Sequence, residues 1–152
     1  MKDYYAARAS EYDKVYAKPE RQADLRQIEQ WLPRVLTGRS VLEVACGTGY
    51  WTQFVAPHCT RVVAVDAAPE TLQLARSRVL AGKVEFIVAD AYDLPRQLPP
   101  LGAGFAGFWW SHLPRTRIAE FLRGFHAALE AEAPVVFRSE EHTSELQSPC
   151  NL

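Results

Sequence analysis

Cysteine is scarce in this chain, and the three that occur, Cys46, Cys59 and Cys150, are odd in number and lack metal-ligand spacing. That excludes a disulfide framework and a structural zinc site, and reads instead as free thiols in a reducing, cytoplasmic compartment with no bound metal. Neither sign of charge is in excess: 17 Lys and Arg stand against 18 Asp and Glu, a net −1. No broad field is then available to gather nucleic acid. Long apolar runs are missing too. No stretch reaches the roughly 18 residues of a membrane span, and the opening MKDYYAARAS has no apolar signal-peptide core. No internal repeat is visible. What is left, at 152 residues and 48% hydrophobic, is enough to bury one core but hardly two. Nothing in the composition speaks to oligomeric state.

Residues 41–52, VLEVACGTGYWT, carry the densest information. A short apolar run holding Glu43 ends in the turn Gly47-Thr48-Gly49, which opens a helical pattern. Glycines at such a turn allow positive φ and let a ligand approach bare backbone. A second apolar run, RVVAVD over residues 61–66, ends in Asp66, nineteen residues beyond Gly47. That is close to the spacing at which a carboxylate meets a ribose diol. Strand, GxG turn, helix, strand and acid together point to an adenosine-bearing ligand, with Gly47 and Gly49 as backbone contacts. The plainer readings are an ordinary strand-to-helix turn, and an Asp that serves the bend before Ala67-Ala68-Pro69.

On these residues the chain resembles the class I S-adenosylmethionine-dependent methyltransferases. Their first motif, acid-x-Gly-x-Gly-x-Gly, would fall here on Glu43, Ala45, Gly47 and Gly49. Ala45 replaces the first glycine, a departure expected to cost only a methyl at the start of the turn. The resemblance continues through VEFIVADAYDLP at residues 84–95, where Asp90 matches the acid that meets the adenine amino group and Ala91 offers its N–H to the ring. It also takes in GFAGFWWSHLP at residues 104–114 and in all covers roughly residues 1–137, nearly the whole chain. It implies S-adenosyl-L-methionine as cofactor, with Tyr12, Glu43, Ala45, Gly47, Gly49, Asp66, Ala67, Asp90 and Ala91 around it. Tyr4, Tyr5, Arg8 and Tyr12 would belong to a helical lid; by periodicity alone they form an amphipathic helix face.

Alternating strands and helices predict a Rossmann-like, doubly wound α/β fold with a parallel sheet and ligands at the carboxyl ends of its strands. Strands are expected at about 41–45, 61–65, 84–88, 104–108 and 134–137. Helices are expected near 3–16, around Leu25, Ile28 and Leu32, and at 50–57, 69–81 and 114–130. Pro69 and Pro114 suit first helical turns, and Gly82 suits a C-cap. After Phe137 the pattern breaks into RSEEHTSELQSPCNL, almost without apolar residues. A solvated tail or a short capped helix is one reading. Residues 138–149 also resemble the conceptual translation of a sequencing-library adapter. Residues 138–152 are thus expected to be a non-native or disordered tail, with the family's carboxyl-terminal strands and their helix missing.

Methyl transfer from a sulfonium is an in-line displacement that needs positioning more than covalent help. The absence of a nucleophile or metal cluster is therefore no obstacle. Glu43 could orient the turn, meet the donor's amino-acid end, or make a structural hydrogen bond within its strand. Trp109, Trp110 and His112 follow the fourth strand and are candidates for an acceptor pocket. His112 could remove an acceptor proton, although a lone His before a helical Pro more often caps or packs. The expected function is methylation of a small-molecule acceptor. An NAD-dependent oxidoreductase is the first rival, but Thr52 stands where GxGxxG needs its third glycine. A non-catalytic methyltransferase-like binding subunit is the second.

Overall fold

The computed structural model describes residue 11 and residues 13–80, 82–107 and 113–138. Five strands form one sheet: β1 (Ser40–Val44), β2 (Arg61–Asp66), β3 (Val84–Val88), β4 (Ala103–Ala106) and β5 (Val135–Phe137). The order is β3-β2-β1-β4-β5 and every pairing is parallel. The chain steps outward from β1 to β3, then returns to the other side of β1. That reversal leaves a crevice above the carboxyl ends of the central strands, where open α/β sheets take ligands.

The near-continuous apolar runs in β1 and β2 reflect burial on both faces. Val41, Val62 and Ala64 face helix α1 (Gln22–Leu36), which lays down Leu25, Leu32 and Leu36. Leu42, Val44, Val63 and Val65 face the opposite layer, which includes Phe121 and Phe125 of a later helix. Pro33 lies inside α1, one turn from its end, and the Thr37 hydroxyl donates to the Pro33 carbonyl at 2.5 Å. The helix stops three residues after that proline. Among the described residues no helix is long and apolar enough to cross a membrane.

The crossovers are shorter than their sequence periodicity suggests. Helix α2 is one turn, Thr52–Val55, continued by a 3-10 turn at Ala56–His58. Helix α3 runs Pro69–Arg78, with Pro69 in its first turn, and ends before Gly82. Gly82 is not its cap. Its φ of +89° carries the chain past Ala56, whose carbonyl oxygen would lie 2.6 Å from any Cβ placed there. Helix α4 is Ile118–Ala127, preceded by a 3-10 turn at Arg115–Arg117 with Pro114 just before it. It ends early because Leu101 captures the chain beyond it: Leu101 N–H donates to Ala128 O at 3.0 Å, and Glu130 N–H to Leu101 O at 2.8 Å. The link from β3 to β4 contains no helix. The proposed amino-terminal helix at 3–16 lies mostly outside the described residues; Asp13–Ala17 is a 3-10 turn. Residues 139–152 also lie outside.

Gly104 allows α4 to sit close to the sheet. A Cβ there would lie 2.3 Å from Phe125 Cζ, and Phe125 is fully buried. Gly104→Ala should therefore destabilise the fold by about 1–3 kcal/mol through overpacking. Urea unfolding would show this as a lower midpoint at unchanged slope, and an unchanged midpoint would contradict the packing described.

Candidate functional site

The turn after β1 is built from three residues in the left-handed region: Ala45 at φ 56°, Gly47 at 55° and Gly49 at 77°. Its backbone is tied twice, by Cys46 N–H donating to Val65 O and by Gly49 N–H donating to Cys46 O, both at 3.0 Å. The two glycines serve different ends. A Cβ on Gly47 would meet nothing within 4 Å, so that stretch of backbone is bare. On Gly49 it would lie 3.1 Å from Ala75 Cβ and from Val79 Cγ2, so Gly49 lets α3 pack against the turn. Ala45 costs more than the methyl expected of it. A left-handed L-residue with a Cβ is strained by roughly 1–2 kcal/mol.

Asp66 closes this arrangement from the end of β2. Its Oδ2 accepts the Gly47 N–H at 2.9 Å, while Oδ1 accepts the Ala68 N–H at 2.9 Å and the Thr71 hydroxyl at 3.1 Å. The carboxylate thus holds the glycine turn and the start of α3 together. Thr71 was not legible as part of this site, since a threonine in a first helical turn has many ordinary uses.

Glu43 is fully enclosed and does not line the crevice. Its carboxylate accepts the Thr52 hydroxyl at 2.5 Å, which binds β1 to α2. Of the roles open to it, the geometry favours orienting the turn. Burial pushes its pKa up to about 8; the Thr52 hydrogen bond opposes that rise and the Asp66 charge adds to it. Cys46 is also buried, and burial raises its thiol far above the ordinary range, so it is no nucleophile.

A cavity of about 220 Å³ lies at the carboxyl ends of β1, β2 and β3, bounded by Ala45, Asp66, Ala67, Asp90, Ala91 and Tyr92 among others. Five of the expected cofactor-binding residues therefore meet at one hollow. Asp90 Oδ1 accepts the Tyr92 N–H at 2.8 Å in a tight local turn, and its carbonyl accepts the Asp93 N–H at 2.9 Å. Only one carboxylate oxygen is used in that turn. A larger hollow of about 410 Å³ lies between residues 92–98 and α4, away from the strand ends. The smaller cavity is the better candidate, because backbone and carboxylates converge there. Tyr12, Trp109, Trp110 and His112 lie outside the described residues.

Two outcomes follow from the turn and its buried acid. Ala45→Gly relieves the strain but gains unfolded-chain entropy, for a net stabilisation of about 0.5–1 kcal/mol. A melting temperature raised by about 2–4 °C would record it, and a fall would refute the strained assignment. For Glu43, the folded chain keeps a proton that the unfolded chain releases near the ordinary value of 4.5. Stability must then fall as pH rises from 4.5 toward 8 and level off above that. Glu43→Gln still accepts from Thr52 and has no proton to lose. Its melting temperature should decline less than the unaltered chain's between pH 5 and pH 8, and parallel declines would rule out a buried protonated Glu43.

Comparison with known proteins agrees with this geometry. Residues 41–132 match a family described as Methyltransferase domain. Over 65 residues the chain is 43% identical to the magnesium-protoporphyrin O-methyltransferase of Rhodobacter capsulatus, a match covering 41% of this chain and 29% of that protein. Over 92 residues it is 36% identical to the demethylmenaquinone methyltransferase of Clavibacter sepedonicus, covering 58% and 37%. The chain thus spans well under half the length of these relatives. Among solved structures, a DhpI–SAH complex superposes with a TM-score of 0.75 at 31% identity, covering 92% of this chain and 68% of that one. The parallel sheet, the glycine turn and its carboxylate, and a profile match over more than half of the sequence lead to one conclusion: the chain belongs to the methyltransferase-domain family.

Proposed function

We propose that this chain is the donor-binding core of an S-adenosylmethionine-dependent methyltransferase acting on a small-molecule acceptor, with residues 1–137 as the working unit and the cytoplasm as its place. The reading is carried by one juxtaposition: bare backbone at Gly47, the Asp66 carboxylate and the Asp90 carboxylate stand on three neighbouring strand ends, with both acids lining one cavity. A carboxylate offers about four lone-pair sites, and three of those on Asp66 are already taken. One site on Oδ2 remains for a ribose hydroxyl, so the second hydroxyl must share that oxygen with Gly47 N–H. The second oxygen of Asp90 suits an adenine amino group, with the Ala91 N–H beside it. Tyr12, Glu43, Ala45, Gly49 and Ala67 complete the set, of which Glu43 and Gly49 act by shaping the turn.

When bound, S-adenosylmethionine supplies an electrophilic methyl on a sulfonium. The chain's own task is to hold donor and acceptor in line and exclude water, and orientation of that kind is worth roughly 7–11 kcal/mol. Trp109, Trp110 and His112 follow Gly107 at the carboxyl end of β4 in sequence. We assign them to the acceptor side, with His112 as the group that could take a proton. Two relatives carry small-molecule acceptors in their names, magnesium-protoporphyrin and demethylmenaquinone, which supports the acceptor class.

Calorimetric titration with S-adenosylhomocysteine tests the reading. Asp66→Asn should weaken binding about tenfold or more, because charge-assisted bonds are worth about 1.5–3 kcal/mol and an amide has only one acceptor oxygen. Cys46→Ser should change little, since Cys46 is buried and is not among the residues that bound the cavity. Equal losses in both variants, or a preference for NAD over S-adenosylhomocysteine, would overturn the assignment.

A further inference from the structure

Thr48 stands between two glycines, at the point where the turn has the most backbone freedom to lose. Its side chain is nevertheless fully committed. The Thr48 hydroxyl donates to Asp13 Oδ1 at 2.8 Å and accepts from Arg78 Nη1 at 2.9 Å. Arg78 Nη2 completes the ring by donating to Asp13 Oδ2. Thr48 is 6% exposed, and the Asp13 and Arg78 side chains are 19% and 21% exposed, so water competes only weakly for this ring. Three separate pieces of chain meet in it: the 3-10 turn Asp13–Ala17, the glycine turn and the last turn of α3. A second attachment lies beside it. Tyr16 stacks on Tyr50 with ring centroids 3.8 Å apart and planes 2° from parallel, and the Tyr50 hydroxyl donates to Glu29 at 2.8 Å.

Asp66 therefore fixes the turn at Gly47, and an independent set of charges fixes it one residue later. We propose that Asp13, Thr48 and Arg78 form a clasp that keeps the glycine turn in its ligand-binding shape, which makes Asp13 and Arg78 positioning residues for the donor. The donor half of this proposal rests on the function put forward above. Without the Asp13 carboxylate, Arg78 loses its anion, and an amide in its place has one oxygen for the two donors that now use two. The turn then keeps Asp66 and its backbone ties but loses its side-chain hold at Thr48, and a ligand seated against Gly47 should leave sooner.

Two measurements on the 152-residue chain, unaltered and as Asp13→Asn, Arg78→Gln, Thr48→Val and Thr48→Ser, separate the clasp from its consequence. In the ligand-free chain, amide exchange at Gly47 and Gly49 should rise about tenfold in the first three variants and stay near the unaltered rate in Thr48→Ser, which keeps the hydroxyl. Stopped-flow release of S-adenosylhomocysteine should quicken about tenfold in the same three variants and recover in Thr48→Ser. The Asp13→Asn, Arg78→Gln double variant should be no worse than either single change, as expected of one shared unit. Unchanged amide exchange would show that no clasp operates. Faster exchange with unchanged release, or a lower melting temperature alone, would reduce the ring to a structural staple. If the unaltered chain fails to bind S-adenosylhomocysteine at all, the function reading and the donor half fall together, while the exchange data still judge the clasp.

Discussion

A single carboxylate joins three segments at the carboxyl end of this sheet. Asp66 receives hydrogen bonds from the turn after β1, from the bend after β2 and from the first turn of α3. The two backbone donors would otherwise lose their partner at the rim of a cavity, a cost of about 1–3 kcal/mol apiece, whereas the Thr71 hydroxyl also reaches the Ala68 carbonyl at 2.9 Å. Because the acceptor ends a buried strand, two loops and a helix are referred to one fixed point. The same side chain lines the candidate site. Deleting it would disturb both its structural role and the ligand-binding role proposed for it.

The centre of the sheet was legible in the sequence because β1 and β2 are buried on both faces and read as near-continuous apolar runs, as in RVVAVD at residues 61–66. Asp66 was legible for a similar reason: it ends such a run at a fixed distance from a glycine turn. Helix lengths were less so. The apolar stripe of α4 continues to Leu129, but pairing between Leu101 and residues 128–130 takes over the chain first, a tertiary contact that periodicity does not encode. The strain at Ala45 had one signal, its place where the family pattern has glycine, because alanine itself carries no local mark of a left-handed backbone. The ring of Asp13, Thr48 and Arg78 spans 65 residues of sequence and follows no local spacing rule.

Glu43 shows how the family pattern and physical chemistry answer different questions. The pattern places an acid in the strand that leads into the turn. The structure places that acid out of water, against Thr52, where the neutral form is favoured and the carboxyl behaves as a short polar strut between β1 and α2. Thr52 is the residue that displaces the third glycine of a dinucleotide fingerprint. Its hydroxyl gives that substitution a definite purpose within this fold.

Gly49 has a consequence for how the cavity can adapt. With Ala75 Cβ only 3.1 Å from where its own Cβ would be, the turn and α3 share a surface that leaves no slack between them. Interiors packed this tightly transmit displacement rather than absorb it. The two form one rigid wall, which moves as a unit or not at all. Accommodation to ligands of different size then falls to the opposite wall, residues 89–92, where Ala89 N–H is tied to Asp66 O but the turn at Asp90 is closed by its own local hydrogen bonds. The cavity thus behaves like a vice with one fixed jaw.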